Sequence, residues 1–217
     1  MSVSKKQRDI KPILSELKKL YPKVIIPLHH KNAWQLLMAV ILSAQCTDAR
    51  VNEITPHLFK KYPTPQALAG ADIKDVEKII HSAGFYHSKA LSLIESSKRI
   101  CEVYNGQVPQ SMQELLTLRG VARKTANVLL GDFFGKPEGI VVDTHVKRLS
   151  FRLGFTRQTD PVKIEQDLMK LLPYEYWQWI GIALILHGRQ VCPARKPDCT
   201  ACSLSAWCPR CGVEEKK

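Results

Sequence analysis

The stretch CPARKPDCTACSLSAWC, residues 192–208, sets four cysteines within seventeen positions. Their spacing is Cys192-x6-Cys199-x2-Cys202-x5-Cys208, and Cys211 follows three residues on. Thiolates are soft ligands, so a cluster of this density suits a metal centre. Two donor sets satisfy the spacing. Cys199, Cys202, Cys208 and Cys211 form two C-x2-C knuckles, the pattern of a tetrahedral zinc site. Cys192, Cys199, Cys202 and Cys208 could instead hold an iron–sulfur cubane, and the proline after Cys208 suits that chemistry. Spacing alone leaves both open. Structural disulfides are the weaker reading. The N-terminus MSVSKKQRDIKP has no apolar signal segment, which makes the cytoplasm the expected address, where reducing conditions oppose disulfides.

A second stretch, LLTLRGVARKTANVLL at 115–130, reads as a helix end, a tight turn at Arg119-Gly120-Val121 and a new helix. Glycine permits the reversal. The new helix offers free N–H groups and the positive end of its dipole to an anion. Arg119, Arg123 and Lys124 add charge around it. A helix–hairpin–helix of this kind holds a DNA phosphate without reading any base. Lys124 lies at the border of an inward stripe of Val121, Thr125, Val128 and Leu129, where partial desolvation would lower its pKa. Nineteen residues later, in VVDTHVKR, Asp143 stands where it would N-cap the next helix. By itself Asp143 reads as a cap.

The elements that must position these groups are helical. Ile10, Ile13, Leu14, Leu17 and Leu20 trace one face of an N-terminal helix. Asn32 can cap a second, WQLLMAVILSAQ, apolar almost all round and therefore central. Val51, Ile54, Leu58 and Phe59 mark a third. Thr64-Pro65, Asp72, Ser111 and Asp160-Pro161 are further starts, with Ser111 and Glu114 forming a capping box. Trp179, Ile182, Ala183, Leu184 and Ile185 mark a late buried helix. Only Ile140–Val142 is a β-branched run, too little to found a sheet. The expectation is an all-α fold of about ten helices, with the best domain boundary in the loop around residues 134–139. The net charge of +12, from 32 Lys and Arg against 20 Asp and Glu, points to a polyanionic partner, nucleic acid first. No apolar run approaches the roughly 18–20 residues of a membrane span.

Taken together, the cysteine stretch, LRGVARKTAN, VVDTHVKR, SAQCTD (43–48) and LHGR (186–189) resemble the endonuclease III family of DNA glycosylases, in order and separation, from about residue 10 to residue 208. The resemblance implies a [4Fe–4S] cluster on Cys192, Cys199, Cys202 and Cys208, shaping a basic loop with Arg195 and Lys196 that meets DNA phosphate. It implies Lys124 as catalytic lysine and Asp143 as catalytic aspartate, with Gln45 and Phe85 entering the duplex where the damaged base leaves. The hairpin residues Arg119, Gly120, Val121, Ala122 and Arg123 would contact the backbone. The implied architecture is a six-helix domain at 24–136 and an iron–sulfur domain at 1–23 and 137–217, flanking a DNA-binding cleft. The implied enzyme is a bifunctional glycosylase and AP lyase. It would act as a monomer in the cytoplasm, at the nucleoid, on duplex DNA holding oxidised pyrimidines or abasic sites. Two hairpin positions depart from the family's usual L-P-G-V-G, Arg119 for proline and Ala122 for glycine, and the family more often has an aliphatic residue at Phe85. Rival readings are an adenine-specific mismatch glycosylase, which lacks the lysine, an iron–sulfur electron carrier, and a non-catalytic DNA-binding module.

Overall fold

The computed structural model describes residues 10–213; the portions of the expected domains at 1–9 and 214–217 lie outside the described residues. All regular structure in the described chain is helical. Eleven α-helices run in order: α1 (Lys11–Leu20), α2 (Ala33–Leu42), α3 (Asp48–Lys61), α4 (Pro65–Ala69), α5 (Ile73–Ile80), α6 (Tyr86–Tyr104), α7 (Met112–Leu115), α8 (Arg123–Val128), α9 (Thr144–Arg152), α10 (Pro161–Leu171) and α11 (Trp177–Gln190). The fold is all-α, as the periodicity predicts. Ile140–Val142 forms no strand.

The chain divides into two compact units, residues 26–139 and residues 1–25 with 140–217. We call them the middle and terminal units. Their limits lie two or three residues from the 24–136 span read from the sequence.

Local chemistry starts the helices where the sequence indicates. Asn32 accepts from Gln35 N at 2.9 Å, Thr64 from Ala67 N, Asp72 from Lys74 N and Asp75 N, and Asp160 from Lys163 N. Each supplies an acceptor to an N–H that the helix cannot satisfy. At Ser111 the box differs from its usual form. The hydroxyl bonds the Glu114 carboxylate at 2.7 Å as well as meeting Glu114 N, so the carboxylate takes the hydroxyl proton rather than a backbone N–H.

In the middle unit, α2 buries eight of its ten residues, and α6 packs against α2, α4 and α5. In the terminal unit, α1 contributes Ile13, Leu14 and Leu17 to a core with α9, α10 and α11. Of the five residues marking the late helix, Trp179, Ala183 and Leu184 are buried, while Ile182 and Ile185 are only partly covered. The end of α1 is fastened to α11 by the Trp179 indole, which donates to Tyr21 O at 2.8 Å. Lys18 Nζ lies 4.0 Å from the Trp179 ring centroid, an additional cation–π contact. The N-terminal helix thus belongs energetically with the end of the chain.

Trp179→Phe keeps most of the apolar contact but strands the Tyr21 carbonyl. We expect a loss of about 1–3 kcal/mol, read as a lower urea midpoint with an unchanged slope.

Candidate active site and cysteine loop

The hairpin is built on α6. Val121 N donates to Leu118 O at 3.2 Å and closes the turn. The Ser96 hydroxyl donates to Arg119 O at 2.6 Å. Gly120 has φ +79°, and a Cβ there would lie 2.9 Å from both side-chain atoms of Ser92. Backbone conformation and space therefore both require glycine. Val121 is buried, whereas Arg119, Gly120, Ala122 and Lys124 are exposed and Arg123 is half-buried. Ala122 caps α8 with φ −97°, an ordinary L-residue conformation, so the turn makes no demand for a second glycine. The exposure of Lys124 corrects the sequence expectation of partial desolvation. Lys124 is the second residue of α8, one turn before the buried Asn127 and Val128, and is exposed in that first turn, with Thr125 only half-buried. After Val128 the helix continues as a π-helical turn, Leu129–Phe133.

Two further loops of the middle unit present the other expected DNA contacts. Gln45 follows α2 with φ 52°, and Phe85 precedes α6 with φ 49°. Left-handed backbone costs a non-glycine residue roughly 1–2 kcal/mol. Phe85 is also 67% exposed, so neither its backbone nor its ring is placed by core packing.

In the terminal unit, Asp143 is an N-cap. Its Oδ1 accepts from His145 N and Val146 N, both at 2.8 Å. One turn on, Arg148 reaches across α9. It donates to His145 Nδ1 at 3.0 Å, Gly188 O at 2.9 Å and Cys192 O at 3.1 Å. Burial and the neighbouring Arg152 charge pull its pKa down.

Cys192, Cys199, Cys202 and Cys208 line one cavity of about 30 Å³, together with Leu149, Leu204 and other side chains; Cys211 is not among its walls. Among the described residues, no three His, Cys, Asp or Glu side chains converge as the ligands of a single ion would. Four thiols around a common space suit a polynuclear cluster, in which each thiolate meets a different iron. The surroundings fit a negative group. Arg152 is 7% exposed, and its guanidinium donates to Cys192 Sγ at 3.1 Å, Pro193 O at 2.7 Å and Ala194 O at 2.8 Å. None of these is a carboxylate, and a buried guanidinium calls for an anion. His187, 2% exposed, meets Cys202 Sγ at 3.5 Å through Nε2 and the Tyr21 hydroxyl at 3.3 Å through Nδ1. Burial lowers its pKa to about 4, so it is a neutral imidazole. Burial likewise raises the Cys202 and Cys208 thiols, an effect that metal coordination reverses. Arg195 and Lys196 are exposed on the same loop.

Residues 38–174 match the model of the HhH-GPD superfamily base excision DNA repair proteins. The chain belongs to that superfamily. It is 55% identical to endonuclease III of Synechocystis sp. over 206 residues, covering 95% of this chain and 94% of the relative. Identity to endonuclease III of Bacillus subtilis is 41%, covering 97% and 96%. Two solved structures align with a TM-score of 0.88 and 41% identity over 97% of each chain. One is a non-covalent endonuclease III–DNA complex and the other a trapped endonuclease III–DNA covalent intermediate. This chain is therefore an enzyme of base excision repair, a DNA glycosylase and AP lyase of the endonuclease III kind.

Within that family framework, the sequence reading missed Arg148, Arg152 and His187. The arginines sit at i and i+4 on α9, spacing that marks one helix face, but their partners are carbonyls and a sulfur some forty residues away. His187 was visible only as part of LHGR.

Asp143→Ala should lose about 1 kcal/mol of stability through the cap, while Asp143→Asn should lose almost none. Thermal or urea melts of the two variants check this.

Proposed function

We propose that the chain removes oxidised pyrimidines from duplex DNA and cleaves the resulting abasic strand, with Lys124 as nucleophile and Asp143 as its acid–base partner. It would work as a monomer in the cytoplasm. The observation that carries the reading is the 41% identity to a protein trapped covalently on DNA. Such an adduct demands a nucleophile, and Lys124 is an exposed amine beside the buried hairpin residue Val121.

The damaged nucleotide must leave the stack, because its sugar carbon is out of reach inside a duplex. The Lys124 amine forms a bond to C1′ as the glycosidic bond to the base breaks, and the base departs with the bonding pair. Ring opening gives a Schiff base, which makes the C2′ proton acidic; its removal expels the 3′ phosphate by β-elimination. Asp143 accepts the proton that the Lys124 ammonium loses to become the attacking amine, and stabilises positive charge on the sugar. Since Lys124 is exposed in the protein alone, the drying of its surroundings comes from the DNA itself. The hairpin turn, held by Ser96, offers backbone N–H groups to a phosphate. Arg119, Arg123, Arg195 and Lys196 contribute charge.

A [4Fe–4S] cluster on Cys192, Cys199, Cys202 and Cys208 is supported by the common cavity and by Arg152. It supplies cross-linking of a loop that has almost no regular structure. Cys211 falls outside the ligand set, which disfavours the zinc alternative. Arg148 and Arg152 orient the main chain on the N-terminal side of the loop, so that Arg195 and Lys196 reach the DNA.

Lys124→Gln should abolish borohydride trapping on an abasic duplex and leave duplex binding within about threefold. Trapping at the wild-type level would sink the assignment. Asp143→Asn, which keeps the cap, should slow base excision steeply with an unchanged melting temperature.

Purified protein should be brown and carry about four irons per chain. Cys192→Ser should lose the iron and Cys211→Ser retain it. Metal analysis showing one zinc, with the sensitivities reversed, would favour the knuckle pairing.

A further inference from the structure

Lys89, in the first turn of α6, is 6% exposed, yet it plays no part in the chemistry above. Its Nζ donates to Ala83 O at 2.5 Å. Its own N–H donates to Phe85 O at 3.1 Å. Side chain and main chain of one residue thus grip both ends of the three-residue loop Ala83-Gly84-Phe85. That loop is the strained one: Gly84 has φ +60° and ψ 145°, and Phe85 follows at φ 49°. Gly84 in turn backs onto the second loop, since a Cβ there would stand 4.0 Å from Gln45 O. The Cys46 thiol, next to Gln45, is close enough to act on the Lys89 charge, while burial lowers the Lys89 pKa. A buried ammonium with a carbonyl as its partner is a poor way to fill a core, where a methionine would pack as well. What it does provide is a donor for the Ala83 carbonyl, two residues before the left-handed Phe85.

We propose that Lys89 is a positioning residue that latches the Ala83–Phe85 loop against the Gln45 loop, so that both side chains stand ready to enter the duplex before DNA arrives. This rests on the reading of Gln45 and Phe85 as the residues that replace the extruded nucleotide. Lys89 touches neither DNA nor the reacting atoms. Its loss releases the loop from the left-handed conformation, and each encounter must then rebuild the wedge. The defect falls on duplex opening and spares the bond-making steps.

The test uses the full chain and two abasic duplexes. One has an intact opposite strand with 2-aminopurine facing the lesion, whose fluorescence reports unstacking. The other has a gap opposite the lesion, where nothing has to be displaced. Lys89→Met should abolish most of the fluorescence rise and slow borohydride trapping on the intact duplex about tenfold, with trapping opposite the gap within about twofold of wild type. Gly84→Ala strains the same loop while leaving Lys89 in place, and should give the same split; it carries the test if Lys89→Met does not fold. Equal losses on both duplexes would make Lys89 merely structural and overturn the latch. Unchanged fluorescence and trapping on the intact duplex would overturn it equally. A Gln45→Ala, Phe85→Ala double variant separates the underlying reading. If that variant unstacks and traps like wild type, the two residues are not the wedge, and the latch falls with them.

Discussion

The buried face of α6 is polar where a helix face is ordinarily apolar, and the middle unit's functional loops are fastened to that face. Lys89 holds Ala83 O. Ser92 leaves just enough room for Gly120. Ser96 holds Arg119 O. Ser97 receives the Trp34 indole N–H of α2 at 3.2 Å. Lys89, Ser92 and Ser96 stand at three- and four-residue steps, so they form one stripe, and Ser97 adjoins it. A loop that meets DNA cannot be anchored by burying its own side chains, because those must stay outside. It can be anchored through its backbone carbonyls, and that requires donors on the supporting helix. Serine suits this role because it is small enough to admit the loop backbone and has one proton to give.

This stripe was also the least legible part of the sequence. YHSKALSLIESSKRICEVY carries Ala90, Leu93, Ile94 and Ile100 as its buried apolar positions, but three buried serines and a lysine interrupt them. Read by periodicity, those four look like solvent-facing residues. Ser96 and Ser97 meet partners 23 and 63 positions away, which no local pattern encodes. The caps were legible for the opposite reason. Asn32, Thr64, Asp72, Asp143 and Asp160 bond N–H groups two or three residues on, so cause and effect share one window. The four cysteines that line the cavity were legible as a group because thiol density is itself unusual; spacing alone left the zinc pairing open, the resemblance implied Cys192, Cys199, Cys202 and Cys208, and those four share the cavity walls.

Lys124 illustrates the intermediate case. Its helix was placed correctly, and the border position was a reasonable reading of Val121, Thr125, Val128 and Leu129. Val121, Val128 and Leu129 are buried and Thr125 is half-buried, as the stripe requires, but Lys124, in the first turn of α8, is exposed. On the proposed mechanism the drying of the amine then falls to the complex, so the nucleophile would be prepared only when there is a sugar to attack.

Both units solve the problem of holding a loop with a buried cation, and the choice of cation differs for a physical reason. Lys89 has one carbonyl to hold, and its ammonium can shed a proton, in the direction that burial favours. It can therefore persist without a counter-ion. Arg152 holds two carbonyls and a sulfur with a planar fork of donors, geometry that lysine cannot reproduce. A guanidinium does not give up its charge in a protein. Buried at 7% exposure, it is stable only if something beside it is negative. Neutral thiols would not serve; thiolates bound to iron would. The cysteine loop and Arg152 are thus mutually dependent. A bound cluster would neutralise a cation that is otherwise costly to bury, and the cation fixes the main chain from Cys192 to Ala194, immediately before the exposed Arg195 and Lys196.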